Sequence, residues 1–293
     1  KLEVRGAPDL AELWRGLPAA ALAYPISAWP PERGLAMLSD TLRERAWREH
    51  CASTTPDSCA DRGRNCAQPG RCRADVLFPM KLGGGTPSWR MATLFVQWYP
   101  ALGQLRLIAL GTAACKSLGW AARCLRERHG LEGAEPLAVS TLADLELSGA
   151  RRWGLNFVTP WLVGKGRTEA SVRPDADTVA LELRKAMRMR AHKVSALCHD
   201  DERAQRLTGH LVHHVADALL TDGLTVEGAG VEALPLTLTS RGNGSSFAAL
   251  TWGGHAVLSV EPPVLPWLSL IALCGGGENA DKGFGGIELT ALD

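Results

Sequence analysis

Hydrophobic positions change their spacing several times along the chain, and each change marks an element. Residues 17–29, LPAAALAYPISAW, form a dense apolar run without a helical period, which predicts a strand. From 33 to 50 the spacing becomes three and four. Leu35, Leu38, Leu42 and Ala46 line one stripe of an amphipathic helix. Residues 51–73 are polar, cysteine-bearing and punctuated by Gly and Pro, so they read as a loop. RMATLFVQWY (90–99) and GQLRLIALG (103–111) alternate as strands, joined by the short hairpin PALG. Residues 112–130 predict a helix ending at a Gly130 cap, and 137–147 a closing strand. The order β-α-β-β-α-β is the ferredoxin-like arrangement.

The second half repeats the frame. A strand at 151–163 is followed by helices at about 178–198 and 201–221. Three strand-like segments come next, at 231–240, 246–254 and 255–261, then a short apolar helix at 265–274 and a last strand at 286–292. In the first of the paired helices Leu183, Met187, Ala191, Val194 and Cys198 share a face; in the second, Leu207, Leu211, Val215 and Leu219 make the expected core stripe. The predicted fold is α+β, with tandem ferredoxin-like (RRM-like) domains at 1–149 and 150–293. The first carries the cysteine loop 51–73. The second carries an α-helical insertion at about 175–222 and a glycine-rich loop at 275–286.

Composition narrows the class. The chain has 293 residues, enough for about two domains, with 46% hydrophobic and 22% charged residues, as in ordinary globular proteins. Its longest apolar runs are too short to span a bilayer. It opens without the basic and apolar segments of a secretory leader, so the expectation is a cytoplasmic protein with no membrane partner and reduced thiols. The net charge of +1 conceals a gradient. Residues 150–199 hold ten Lys/Arg and four acids, a net of +6, whereas 223–293 hold two bases and seven acids, a net of −5. A polyanion therefore meets the basic segment first.

The stretch GGGENADKGFGG, 275–286, is half glycine. A phosphate-binding P-loop needs Lys-Ser/Thr and then a helix, but Lys282 is followed by Gly283 and a predicted strand. A dinucleotide fingerprint fails for the same reason. What remains is a flexible connection, or a loop whose main chain approaches a phosphodiester backbone with Lys282 as charge partner.

A glycine loop between the last helix and last strand of a second ferredoxin-like unit resembles the RAMP superfamily of CRISPR-associated proteins. Within it, the chain resembles the endoribonuclease that processes precursor CRISPR RNA. The resemblance extends over an early helix and cysteine loop (GLAMLSDTLRERAWREHC and onward), a strand with Thr-Pro opening the second domain (LNFVTPWL), a Ser240-Arg241 pair, a Gly253-Gly254 pair and the glycine loop itself. The tyrosine and glutamine that often flank the Ser-Arg pair are absent and the helical insertion is rich in Arg and His, which resembles the divergent type IV branch. The resemblance implies cleavage of CRISPR repeat RNA without metal or cofactor. The 2′-OH attacks the adjacent phosphate, and a protein of this kind keeps its crRNA product and joins other effector subunits.

Such a reaction needs a proton acceptor, stabilisation of phosphorane charge and a proton for the leaving oxygen. The resemblance places the catalytic histidine near the end of the first helix, where His50 stands beside Arg43. Arg241 is the expected charge stabiliser and Ser240 its neighbour, with Arg33 a phosphate contact. The acid-free segment 183–199 carries Arg184, Arg188 and His192 at i, i+4 and i+8, widened by Lys185, Arg190 and Lys193; these are the expected RNA-binding face. Gly275, Gly277, Lys282 and Gly285 are the expected contacts of the loop. Three alternatives stay open: a non-catalytic RNA-binding subunit, a metal-dependent nuclease using His210, His213, His214 and Asp217, and a zinc site in Cys51, Cys59, Cys66 and Cys72. The spacings of the last set are wider than paired zinc ligands prefer.

Overall fold

The computed structural model describes residues 10–25, 31–50, 73–79, 91–147, 149–165, 174–199, 202–239, 246–277 and 284–292. The chain divides into two compact units. One holds residues up to Leu145 together with His192–Val212; the other holds Glu146–Ala191 and His213–Asp293.

In the first unit, helix α1 (Leu10–Arg15) precedes β1 (Ala19–Pro25), and α2 (Pro31–His50) leads through the short α3 (Arg73–Leu77) to β2 (Leu94–Tyr99) and β3 (Gln104–Leu110). Gly103, in the left-handed region, closes the turn between those strands. The predicted helix at 112–130 is divided into α4 (Thr112–Cys115) and α5 (Leu118–His129), and Gly130 caps α5 with its N–H on the Arg126 carbonyl. The antiparallel sheet runs β2-β3-β1-β4, the ferredoxin-like order. Helices α2 and α5 pack on it and on each other. The predicted stripe Leu35, Leu38, Leu42 and Ala46 is buried throughout.

The predicted strand at 137–147 is replaced by a shorter one, β4 (Glu135–Pro136). Beyond it the chain stays beside β1 through isolated bonds of Leu137, Ser140 and Leu142, while Asp144 gathers the amides of Ser140 and Thr141 at 2.7 and 2.8 Å. Local side-chain acceptors of this kind compete with a strand ladder. Those amides hold the Asp144 carboxyl below the usual range, that of Thr141 first.

In the second unit, β5 (Arg152–Lys165) is followed by the long helices α6 (Ala176–Leu197) and α7 (Glu202–Gly223), the hairpin β6 (Leu224–Thr239) and β7 (Ser246–Val260), helix α8 (Leu265–Cys274) and β8 (Ile287–Ala291). The sheet order β6-β7-β5-β8 repeats the first unit's topology. The three strand segments predicted between 231 and 261 are two strands. Gly254, at φ +106°, kinks β7 without ending it. Helix α8 is apolar on every side and almost wholly buried. Its Ser269 is satisfied internally, donating to the Leu265 carbonyl and accepting the Leu147 N–H, both at 2.9 Å.

The tip of the α6–α7 hairpin belongs to the first unit. There the Trp14 indole N–H donates to Ser195 Oγ at 2.6 Å, and Cys198 Sγ lies 3.7 Å from the Leu13 carbonyl oxygen. The α6 stripe is as predicted, with Leu183, Met187, Ala191 and Val194 buried and Cys198 half-buried. The α7 stripe is not. Leu207 is 61% exposed and Val215 is exposed, while Gly209, Val212, Ala216 and Leu220 are buried. The buried face interleaves the small Gly209 and Ala216, which let a neighbour come close, with Val212 and Leu220. Leu220→Ala is expected to cost about 2–5 kcal/mol by urea denaturation, whereas Leu207→Ala should stay within about 0.5 kcal/mol.

Candidate nucleic-acid interface

The site in the second unit begins with a proline in a strand. Pro160 has no N–H for a ladder, and a central strand accommodates it by bulging. Between the pairs Phe157–Gly254 and Trp161–Trp252, β5 advances four residues while β7 advances two. On the edge of β5 away from β7, toward β8, the backbone groups of the bulge pair with the glycine segment. Val158 and Thr159 donate their N–H groups to the Gly286 carbonyl at 2.9 and 3.3 Å. The Pro160 carbonyl accepts the Gly285 N–H at 2.9 Å, and Thr159 Oγ1 accepts the buried Gly286 N–H at 2.7 Å. Gly276 closes the neck by donating to the Gly285 carbonyl at 2.8 Å. The two described ends of the segment, 275–277 and 284–286, are thereby tied to each other and to the Thr-Pro bulge.

Space at this neck permits only glycine. Trp161 is fully buried, edge-on to Phe157 at 5.5 Å, and a Cβ built at Gly276 would lie 2.0 Å from its ring. Gly285 has φ +65°, and a Cβ there would lie 1.7 Å from the Gly276 carbonyl oxygen. Both requirements, the left-handed backbone and the close approach, are ones an L side chain violates.

Arg190 holds the neck from α6. It is 6% exposed, and its Nε donates to the Gly275 carbonyl at 2.7 Å. Helical spacing put Arg190 on the expected RNA-binding face; the structure places it inside. Burial pushes the adjacent Cys274 thiol up to about 12, with Arg190 pulling the other way. Cys274 is therefore a thiol, inert as a nucleophile.

The row Arg184, Arg188 and His192 was expected to face RNA, and it faces α7 instead. Arg188 Nη1 pairs with Asp217 Oδ1 at 2.6 Å. Arg184 Nη2 donates to the Leu224 and Thr221 carbonyls at 2.6 and 3.3 Å, at the C-terminal end of α7, where a cation suits the helix dipole. The His192 ring lies where a Cβ on Gly209 would be, 2.6 Å away. Lys185 is exposed and pairs with Glu182 at 3.5 Å; Lys193 is half-buried.

The remaining expected residues fall in several places. The Arg43 guanidinium lies 6.0 Å from the Trp47 ring and 5.9 Å from that of Phe78, a cation–π setting. Arg33 and His50 belong to α2, with side chains outside the described residues. Ser240, Arg241, Lys282 and the four cysteines of the 51–73 loop also lie outside them. His210, His213 and His214 are exposed, and among the described residues no three His, Cys, Asp or Glu are grouped to hold a metal ion. Thr159 entered the sequence reading only as part of the Thr-Pro motif and Trp161 not at all, although a Thr-Pro pair inside an apolar strand is itself a bulge signal.

Among solved structures similar to the chain, a Cas6 product complex shares 16% identity at TM-score 0.49, covering 93% of this chain and 99% of that one. A second Cas6 product complex shares 17% identity at TM-score 0.42, covering 94% and 100%. An RAMP protein described as binding different RNA substrates shares 11% at TM-score 0.40, covering 94% and 99%. Solved structures that the chain resembles include Cas6 and RAMP proteins. No family model and no curated protein matches the sequence.

Thr159→Val should lower stability by about 1–3 kcal/mol, because the buried Gly286 N–H loses its acceptor. Thr159→Ser keeps the oxygen and should lose less than about 1 kcal/mol. Equilibrium urea unfolding of the two variants checks this, and equal losses would exclude the hydrogen bond as the cause.

Proposed function

We propose that the protein is an endoribonuclease that binds CRISPR repeat RNA and cleaves it to crRNA. The observation that carries this reading is a convergence. The Thr-Pro strand, the glycine segment and the basic helix stand far apart in sequence, yet they meet at one neck through Thr159, Gly285, Gly286 and Arg190. Both described ends of the glycine segment are anchored at this neck, which supports a loop whose main chain approaches a phosphodiester backbone.

The chemistry is an internal transesterification. The RNA 2′-oxygen forms a bond to the adjacent phosphorus while the bond from phosphorus to the 5′-oxygen breaks. The 2′-OH proton passes to a base and the leaving oxygen receives one, giving a 2′,3′-cyclic phosphate and a 5′-OH. The nucleophile comes from the RNA itself, so no metal-bound water is needed. His50, the last residue of α2, is the proposed proton carrier, with Arg241 stabilising the phosphorane. The product stays bound, and the protein serves as a subunit of the effector complex.

Incubating the protein with repeat RNA in EDTA should yield the cyclic phosphate. His50→Ala should slow single-turnover cleavage by about 10²–10⁴-fold with little change in RNA affinity. Binding without cutting would overturn the nuclease and leave a non-catalytic RNA-binding subunit. Cleavage abolished by EDTA would point instead to the His210–Asp217 group.

A further inference from the structure

The second sheet turns Trp153, Leu155 and Phe157 of β5 into the core and leaves the alternate residues on the other face. On that face four positions stand in register across all four strands: Glu288 of β8, Asn156 of β5, His255 of β7 and Gly230 of β6. Asn156 and His255 are both exposed. A Cβ built on Gly230 would lie 2.6 Å from His255 Cε1, 2.8 Å from Nε2 and 3.2 Å from Nδ1. The imidazole therefore lies down over the glycine, ring against the sheet, with its other side outward. One strand position further, Gly228 adds no side chain to the surface and has open space above it.

We propose that this face is a stacking site for an unpaired nucleobase, with the His255 ring as the platform. A planar ring flat on a sheet offers its π-face to any base, which makes stacking tolerant of sequence. Asn156 stands beside it, and its side-chain amide, which makes no hydrogen bond to another described residue, supplies both a donor and an acceptor for a base edge. The row contains no Lys or Arg, and Glu288 at its end disfavours a phosphate, so the chemistry of the row fits a base and not the backbone. Along β8, Glu288 stands two residues from Gly286, roughly 7 Å at strand spacing. A strand held at the glycine neck reaches the platform within a nucleotide or two. This inference rests on the RNA-binding reading and adds to it a recognised class of ligand, single-stranded RNA next to the neck.

The test uses the full chain and a short unpaired RNA carrying 2-aminopurine, whose fluorescence is quenched by stacking. His255→Ala should abolish the quenching and weaken binding about 10- to 100-fold. His255→Tyr, which keeps a ring and discards the imidazole, should restore both, and Gly230→Ala, which lifts the ring, should reduce both. Unchanged affinity and quenching in His255→Ala would overturn the proposal, as would failure of the tyrosine to rescue. Competition by adenosine monophosphate as effective as by the oligonucleotide would overturn a strand as the source of the base. Hairpin cleavage is measured in parallel. Cleavage with no His255 effect removes the platform and leaves the nuclease; a His255 effect without cleavage does the reverse.

Discussion

The site in the second unit depends on a missing hydrogen-bond donor. Pro160 cannot donate to a ladder, and a buried strand cannot leave its neighbouring amides and carbonyls unpaired without a cost of about 1–3 kcal/mol for each group. The glycine segment resolves that conflict. It pairs with Val158, Thr159 and Pro160 where β7 does not, and it can come that close only because Gly276 and Gly285 lack side chains. The strand's defect and the loop's composition are thus two halves of one requirement. Each explains why the other persists in an otherwise regular sheet.

The same logic of supplied partners governs the helices. Segment 183–199 contains seven residues that are Lys, Arg or His and no acid, a pattern that repels itself along an isolated helix. In the fold the counter-charges come from elsewhere: Asp217 for Arg188, and the carbonyls at the end of α7 for Arg184. Arg190 is the extreme case. Taking a guanidinium out of water costs several kcal/mol, which charge-assisted bonds such as that to the Gly275 carbonyl offset by about 1.5–3 kcal/mol each. A buried leucine would avoid that cost but would leave the Gly275 carbonyl without this donor.

Much of the architecture was readable because it is written in large apolar side chains at regular spacing. Leu35, Leu38, Leu42 and Ala46 are buried as the period required, and the order of strands and helices gave both ferredoxin-like sheets. The α7 stripe was misread for a physical reason. Periodicity weighs bulk, and the true contact face uses Gly209, Ala216 and Gly223, which allow the His192 and Val264 side chains to approach. The basic row was legible as a row, but its direction was not, because Asp217 and the α7 carbonyls are long-range partners. The neck was legible as two motifs, and only the fold joins them. His255 was overlooked because its meaning lies in a cross-strand glycine, a relation that no single stretch of sequence contains.

Glycine therefore has two opposite uses in one sheet. At the neck it lets backbone meet backbone and closes space: Gly276 lies against the indole of Trp161, and Gly285 lies under the Gly276 carbonyl. On the open face it creates space, and the side chain of a neighbouring strand, His255, fills it. A Cβ at the neck would force apart three segments tied by five backbone and side-chain hydrogen bonds, whereas a Cβ at Gly230 would displace one exposed ring. The first substitution threatens the fold of the loop, and the second changes only what the surface presents. That difference separates the residues that build this interface from those that determine what it binds.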